Sequence, residues 1–396
     1  MSGDKGDRTP DLLNAIQALS QLSYAPKTQP SYHIRYTVSS VFENKLILYS
    51  QKFLIILIGK ERGDHMPVNL RGRGFLTLLD FTGEEIRYLL DLAHRLKAKK
   101  LSGIKGNLLD GKNIVLLFEK TSTRTRCAFE VAAYDEGAHV TYLDQAGSQM
   151  NKKESLEDTA RVLGRFYDGI EYRGYEQRVV ESLARYSGVP VFNGLTDVDH
   201  PTQILADLMT MEEHLRKPLR KCRVLFVGDT QNNMSLAWMI AAAKLGFEYI
   251  GLGPGELFPD SALIAQRNEE AAALGGSVRF VESSDGISGP VDVVYTDVWV
   301  SMGDEDKLDQ HVKLLTPYRL NMALFNKLAG PEGIFMHCLP SFHDMETTFA
   351  KKAAEIGLDV REVDDDVFRC SRSVVFDEAE NRLHTIKAVL VAAIGK

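Results

Sequence analysis

Cysteine is scarce in this chain and scattered: its four cysteines are Cys127, Cys222, Cys338 and Cys370, and no two form a CxxC pair. With no secretory signal, that spacing argues against a disulfide framework and for a reduced, cytoplasmic setting. It offers no chelating pair for structural zinc, and no His-x-x-x-His pattern supplies another metal site. Runs long enough for a membrane are missing as well. Phe53-Leu54-Ile55-Ile56-Leu57-Ile58 stops at Gly59 between Lys52 and Lys60, far short of the roughly 20 apolar residues that span a bilayer. Positive charge is not in surplus: 47 Lys and Arg stand against 54 Asp and Glu, for a net charge of −7. Nucleic acid and anionic membranes are therefore not expected partners, and any anion site must be local, built from a few arginines. No Walker lysine motif occurs. Gly251-Leu252-Gly253-Pro254-Gly255 lacks the sixth-position glycine of a dinucleotide loop, and Pro254 obstructs a helix start.

What is present is regular. The 396 residues, 44% hydrophobic and 26% charged, suffice for two or three domains with their own cores. Residues 1–65 mix Ser, Thr, Gln and basic residues without a sustained period. They read as an atypical extension with Met66 as the natural start, and are set aside from functional reasoning. Beyond Met66, Thr82 and Glu85 form a capping box before the apolar face Ile86, Leu89, Leu90, Ala93 and Leu96. Apolar runs at 113–118, 138–143, 168–172 and 189–193 alternate with helical patterns at about 124–136, 154–166 and 176–187. After the basic link 216–221 a second series of strands follows at 223–227, 246–252, 278–281, 292–296 and 333–336. This alternation predicts an α/β protein of two Rossmann-like parallel-sheet domains, 66–216 and 217–377. A final helix, 378–396, presents Ile386, Val389, Leu390, Ala393 and Ile394 and is expected to pack back on the first domain.

In open parallel sheets, ligands bind where strand C-terminal ends meet helix N-termini. Five polar clusters fall there. Ser122-Thr123-Arg124-Thr125-Arg126 follows the strand at 113–118 and opens a helix. Unpaired N–H groups, hydroxyls and guanidinium forks at such a place suit a phosphate. A capping Ser followed by solvated arginines is the bland alternative, and two arginines with three hydroxyls in five residues outweigh it. His200-Pro201-Thr202-Gln203 opens a helix where His can polarise a carbonyl and Gln can accept from an amide, though Pro at the first position beside a turn His is the default. Asp229 with Asn232-Asn233 could hold a zwitterion or simply cap a helix. In Asp297-Val298-Trp299-Val300-Ser301-Met302-Gly303, Asp297 could hold an ammonium group and Met302 a methylene chain, with Trp299 as a packing anchor otherwise. Cys338, in His337-Cys338-Leu339-Pro340, could be a nucleophile, a thiolate partner or a ligand contact, against the default of a buried inert thiol.

With these clusters in order, and the strings FEKTSTRTRCAFE, KESLEDTARVLGR, FNGLTDVDHPTQ and EAENRLHTIKAV, the chain from about Leu76 onward resembles the ornithine carbamoyltransferases of the aspartate/ornithine carbamoyltransferase superfamily. The resemblance implies transfer of the carbamoyl group of carbamoyl phosphate to the δ-amine of L-ornithine, giving L-citrulline and phosphate without metal or cofactor. It implies that Ser122, Thr123, Arg124 and Thr125 hold the phosphate, with Gln149 reaching a neighbouring subunit's site. Arg173, His200 and Thr125 would surround the carbonyl oxygen, and Gln203 would bind the carbamoyl amide. Asn233, Asp297, Ser301 and Met302 would bind ornithine. Cys338 and Leu339 would lie between the substrates, and Arg382 would close over carbamoyl phosphate. Arg173, His200 and Cys338 are the implied catalytic residues, and the implied assembly is a homotrimer or a multiple of trimers. Aspartate carbamoyltransferases share the phosphate loop, but an aspartate site wants arginines where Ser301-Met302-Gly303 and Cys338 stand. A putrescine carbamoyltransferase is the nearer alternative, and a catalytically silent paralogue would lack one of Arg124, His200 or Cys338. Direction, toward arginine synthesis or breakdown, stays open. Mass spectrometry of the native N-terminus is expected to find Met66 first; a peptide from upstream overturns that start.

Overall fold

The computed structural model describes residues 68–147, 150, 153–300 and 308–396. The extension 1–65, Gln149, Ser301 and Met302 lie outside these described residues. Helix α1 (Gly83–Leu101) starts as expected: Thr82 accepts from the Glu85 N–H and the Glu85 carboxylate accepts from the Thr82 N–H. Its apolar face, Ile86 to Leu96, is buried.

The first half then alternates β1 (Asn113–Phe118), α2 (Thr123–Asp135), β2 (His139–Asp144), α3 (Leu156–Phe166), β3 (Gly169–Arg173), α4 (Gln177–Ser187), β4 (Val191–Leu195) and α5 (Pro201–His214). Its sheet is parallel with order β2-β1-β3-β4. Strand β1 is buried from Ile114 to Phe118, the continuous apolar run of a strand covered on both faces. The second half runs β5 (Arg223–Val227), α6 (Asn233–Leu245), β6 (Glu248–Leu252), α7 (Ser261–Ala273), β7 (Ser277–Val281), β8 (Val291–Thr296), α8 (Leu308–Leu315), α9 (Met322–Leu328), β9 (Ala329–Met336), α10 (Thr348–Glu355) and α11 (Asp365–Phe368). Its parallel sheet has order β7-β6-β5-β8-β9. The final helix α12 (Val375–Ile394) packs on α1, α2 and α5, so it does return to the first half. No helix among the described residues is long and apolar enough to cross a membrane.

Each sheet reverses its winding beside its first strand: β1 has β2 on one side and β3 on the other, and β5 has β6 and β8. Crevices open at the C-terminal ends of such strands. Ser122 and Asn232 lie on the loops that leave β1 and β5 there, and Arg173 and Asp297 lie at the ends of the flanking strands β3 and β8.

The observed element ends differ from the expected ones by a few residues, for local reasons. Strand β4 begins at Val191 because Pro190 has no N–H to give, although its carbonyl accepts from Ile170 N. Helix α12 begins at Val375, before Glu378, because Val374 caps it without a side-chain bond, so no polar start signal marks the place. Helices α3 and α4 pack so closely that a Cβ on Gly164 would lie 1.8 Å from the Ser187 carbonyl oxygen. Gly164→Ala is therefore expected to cost about 1–3 kcal/mol by overpacking, read as a fall in Tm or in the denaturation midpoint; wild-type stability overturns that packing.

Candidate active site

Helix α2 begins where β1 ends. Ser122 is its N-cap, and its Oγ accepts from Thr125 N at 3.2 Å. Capping uses only an oxygen lone pair, so the hydroxyl hydrogen and the first-turn N–H groups stay available to an anion. Thr125 points the other way. It is fully buried, and its Oγ1 accepts from Arg173 Nη1 at 3.2 Å and from Arg382 Nη2 at 2.9 Å. One hydroxyl thus gathers guanidinium groups from the end of β3 and from α12 beside Arg124. The Nε atoms of Arg124, Arg173 and Arg382 are buried without a partner.

Burial lowers the pKa of all three arginines, and burial together with repulsion from the neighbouring arginines brings Arg173 and Arg382 to about 10. The Glu171 charge opposes the fall at Arg173, and all three remain cationic at neutral pH. His200 is also buried, on the turn before Pro201. Burial first, and then Arg382, Arg173 and Arg124, push its pKa well below the usual range, so it is a neutral imidazole. Its Nδ1 lies 3.4 Å from the Thr202 hydroxyl. Gln203 is buried too, with Nε2 donating to Asp207 Oδ1 at 2.7 Å and Glu378 Oε1 at 3.0 Å. Its Oε1 has no donor.

The second half supplies the facing wall. Asn232 caps α6 through Ser235 N at 2.9 Å, and its amide donates to Asp297 Oδ2 at 3.2 Å. Asn233 donates to the Thr196 carbonyl at 2.8 Å across the two halves. Asp297 accepts from the Cys338 thiol at 3.1 Å and from Val298 N at 2.8 Å. Burial raises the pKa of Asp297, and burial together with Asp297 raises that of Cys338 well above the ordinary thiol range. Cys338 is therefore a protonated thiol. Leu339 follows it at φ 57, in the left-handed region, a conformation that costs a branched side chain about 1–2 kcal/mol. His337 serves the scaffold: its Nδ1 accepts from Leu339 N at 2.9 Å and its Nε2 lies 3.1 Å from Glu362.

Between the walls lies a cavity of about 1020 Å³, lined by Ser122, Thr123, Arg124, Arg173, His200 and Arg382 on one side and Asn233, Asp297, Cys338 and Leu339 on the other. Thr125 and Gln203 stand just behind the lining. Asp297, His337 and Cys338 bring ligand-type atoms within 4.8 Å of one another, as do His343, Asp344 and Asp365. Both ring nitrogens of His337 are already engaged, however, and His343 is bonded to Asp365 at 2.7 Å.

Some lining or supporting residues were not singled out from the sequence. Lys120 is buried against Asp197 and the Tyr175 ring, only two residues before Ser122. His311, on α8, lines the cavity with Nδ1 at 2.9 Å from the Trp299 carbonyl. Asp207 and Glu378 lie one helical turn from Gln203 and Arg382, an offset that already placed each pair on one helix face.

Two family models match the chain: aspartate/ornithine carbamoyltransferase, carbamoyl-P binding domain, over residues 73–213, and the Asp/Orn binding domain of the same family over 220–393. A catabolic ornithine carbamoyltransferase of Clostridium perfringens (strain 13) is 59% identical over 333 residues, 84% of this chain and 100% of its own length. The catabolic ornithine carbamoyltransferase 1 of Staphylococcus epidermidis is 56% identical over 83% of this chain and 99% of its own. The solved ornithine carbamoyltransferase from Pyrococcus furiosus superposes with a TM-score of 0.75 at 40% identity, covering 83% of this chain and 98% of that one.

Thr125→Val keeps the volume but removes the acceptor shared by Arg173 and Arg382. Stranding buried charged donors costs about 1–3 kcal/mol each, so the Kd for inorganic phosphate, measured by calorimetric titration, is expected to rise tenfold or more. An unchanged Kd overturns the clamp.

Proposed function

Because the chain belongs to the aspartate/ornithine carbamoyltransferase family, we infer that its cleft transfers the carbamoyl group of carbamoyl phosphate to the δ-amine of L-ornithine, giving L-citrulline and phosphate. The observation that carries this reading is the opposition across one cavity. Three cationic guanidiniums and a helix N-terminus face a buried acid, Asp297, bonded to a protonated thiol.

The residues divide the work as follows. Ser122, Thr123 and Arg124 hold the phosphate at the N-terminus of α2. Arg173 and neutral His200 donate to the carbonyl oxygen, with Thr125 bracing Arg173 and Arg382. Thr202 donating to Nδ1 leaves the His200 proton on Nε2, the tautomer a carbonyl oxygen needs. Asn233 and Asp297 take the amino-acid end of ornithine, and Gln203 Oε1 accepts from the carbamoyl amide. Gln149, Ser301 and Met302 retain the roles the resemblance gives them.

The lone pair of the uncharged δ-amine forms the C–N bond at the carbamoyl carbon as negative charge gathers on the carbonyl oxygen. The bond between the carbamoyl carbon and the phosphate's bridging oxygen then breaks, and the departing phosphate keeps the electron pair and takes up the proton that the amine gives up. Each well-placed donor to that oxygen is worth about 3–4 kcal/mol, and holding both substrates in line supplies a further large share. A thiol kept protonated by burial is a poor nucleophile, so Cys338 positions ornithine.

The reading extends to organisation. Residues 66–216 form the carbamoyl-phosphate domain, 217–377 the ornithine domain and 378–396 the returning helix. Helix α2 exposes Val131 and Tyr134 and helix α3 exposes Val162 and Phe166; a homotrimer in which a neighbour lends Gln149 is the assembly the resemblance implies. A cytoplasmic location fits the isolated thiols. The catabolic names of relatives at 56–59% identity favour the arginine-breakdown direction here.

Purified protein is expected to form citrulline from carbamoyl phosphate and ornithine, with cooperative saturation by carbamoyl phosphate; faster turnover of putrescine overturns the choice of amine. Cys338→Ser should lower kcat yet leave measurable turnover, whereas abolished turnover with an intact fold indicates a covalent role.

A further inference from the structure

Behind the lining, two carboxyl groups from different elements meet out of water. Asp207 stands on α5 and Glu378 on α12, both completely buried. Gln203 gives both amide hydrogens to them, at 2.7 and 3.0 Å. Glu378 also reaches the second half: its Oε2 accepts from His337 N at 2.9 Å and its Oε1 from the Tyr295 hydroxyl at 3.4 Å. Asp207 Oδ2 is buried without a donor, and the single Gln203 Nε2 bridges the two carboxyls at 2.7 and 3.0 Å. Two ionised carboxylates cannot rest so close in a low-dielectric interior. One proton between them removes the repulsion and satisfies the orphaned oxygen.

We propose that the Asp207–Glu378 pair, sharing one proton, is a positioning device for carbamoyl transfer: it locks the Gln203 amide so that Oε1 faces the carbamoyl NH2, and registers Gln203 against the strand ends carrying Asp297 and Cys338. The inference rests on the reaction assigned above and adds to it the residues that orient the amide contact. Two carboxyl oxygens beside Nε2 decide the amide flip, because only NH2 can donate to them. The buried Oε1 is then left as an acceptor, which is what a carbamoyl NH2 requires. The same pair touches the backbone one residue before Cys338 and the hydroxyl two residues before Asp297. A shift at Glu378 therefore moves both substrate contacts together.

Burial raises the pKa of both acids, Asp207 to about 7 and Glu378 well above the ordinary carboxylate range, where the Asp207 charge raises it too. The charged or titratable groups facing them are Arg382 on α12, Tyr295 on β8, and Cys338 after β9. Arg382 favours ionisation of Asp207, and Asp207 opposes ionisation of Glu378. Because the folded pKa values are raised, the pair keeps at least one proton below them, and the repulsion returns as that last proton is lost with rising pH.

The test is kcat/KM for carbamoyl phosphate against pH at saturating ornithine, with Tm recorded beside it. Asp207→Asn and Glu378→Gln keep hydrogen bonds without titrating, so their alkaline limb should move up by about one pH unit or more while KM for ornithine stays within about twofold. Asp207→Leu removes an acceptor of Gln203 and should lower kcat tenfold or more, about 1.4 kcal/mol or more; should it fail to fold, Gln203→Leu reads the same loss with the pair intact. Alkaline limbs that superimpose on wild type in folded Asn and Gln variants overturn the proposal, as does wild-type kcat in a folded Leu variant. Citrulline formation by the wild type, measured first, separates failure of the reaction from failure of this inference; its absence overturns both.

Discussion

Three guanidinium groups crowd together at the end of one helix, Arg173 and Arg382 buried against a threonine hydroxyl and Arg124 half-buried beside them, and this crowding shapes the whole cleft. Arg124, Arg173 and Arg382 come from α2, β3 and α12, and Thr125 Oγ1 binds two of them directly. Such charges repel one another and lose hydration, so they are tolerable only where backbone and buried dipoles hold them or an anion joins them. That accounts for the long return of α12 across the first half. Without its packing on α1, α2 and α5, Arg382 could not be delivered to the phosphate loop. Of the acids buried near them, Glu171 has neither carboxylate oxygen hydrogen-bonded, and burial raises its pKa strongly. It gives the cluster only partial compensation, leaving positive potential for the ligand.

Burial acts in opposite senses on the two walls. On the phosphate side it strips His200 of its proton but leaves the arginines charged, because their pKa values start so much higher. On the amine side it pushes protons onto Cys338 and raises the pKa of Asp297. One cleft thereby sets neutral and cationic donors on one wall against a hydrogen-bonded acid on the other. Neither wall needs a thiolate. The parallel sheets make this possible by opening both crevices at the C-terminal ends of their first strands, so that loops from unrelated stretches of chain converge.

Much of this was legible in the residues. The capping box at Thr82, the buried run 114–118 and the returning last helix follow from period and cap chemistry, and the observed elements agree within a few residues. The phosphate loop was legible because its function is local: five consecutive residues at a helix start contain both the N–H groups and the cations. Thr125 belongs to that loop, yet its side chain accepts from the arginines behind the wall, which no spacing could reveal. Asp207 and Glu378 escaped notice because a carboxylate inside a helix ordinarily faces solvent. Only the packing of α12 against α5 turns the two toward each other.

The division is physical. Periodicity, capping and turn chemistry act over a few residues, so the sequence by itself determined the α/β class, the order of elements and the places where polar clusters would emerge. Electrostatics and desolvation depend on what comes to lie within a few ångströms from far along the chain. Tertiary structure alone therefore decided that Arg382 meets Thr125, that His200 is neutral, that Cys338 keeps its proton against Asp297, and that Gln203 is gripped from behind by two acids.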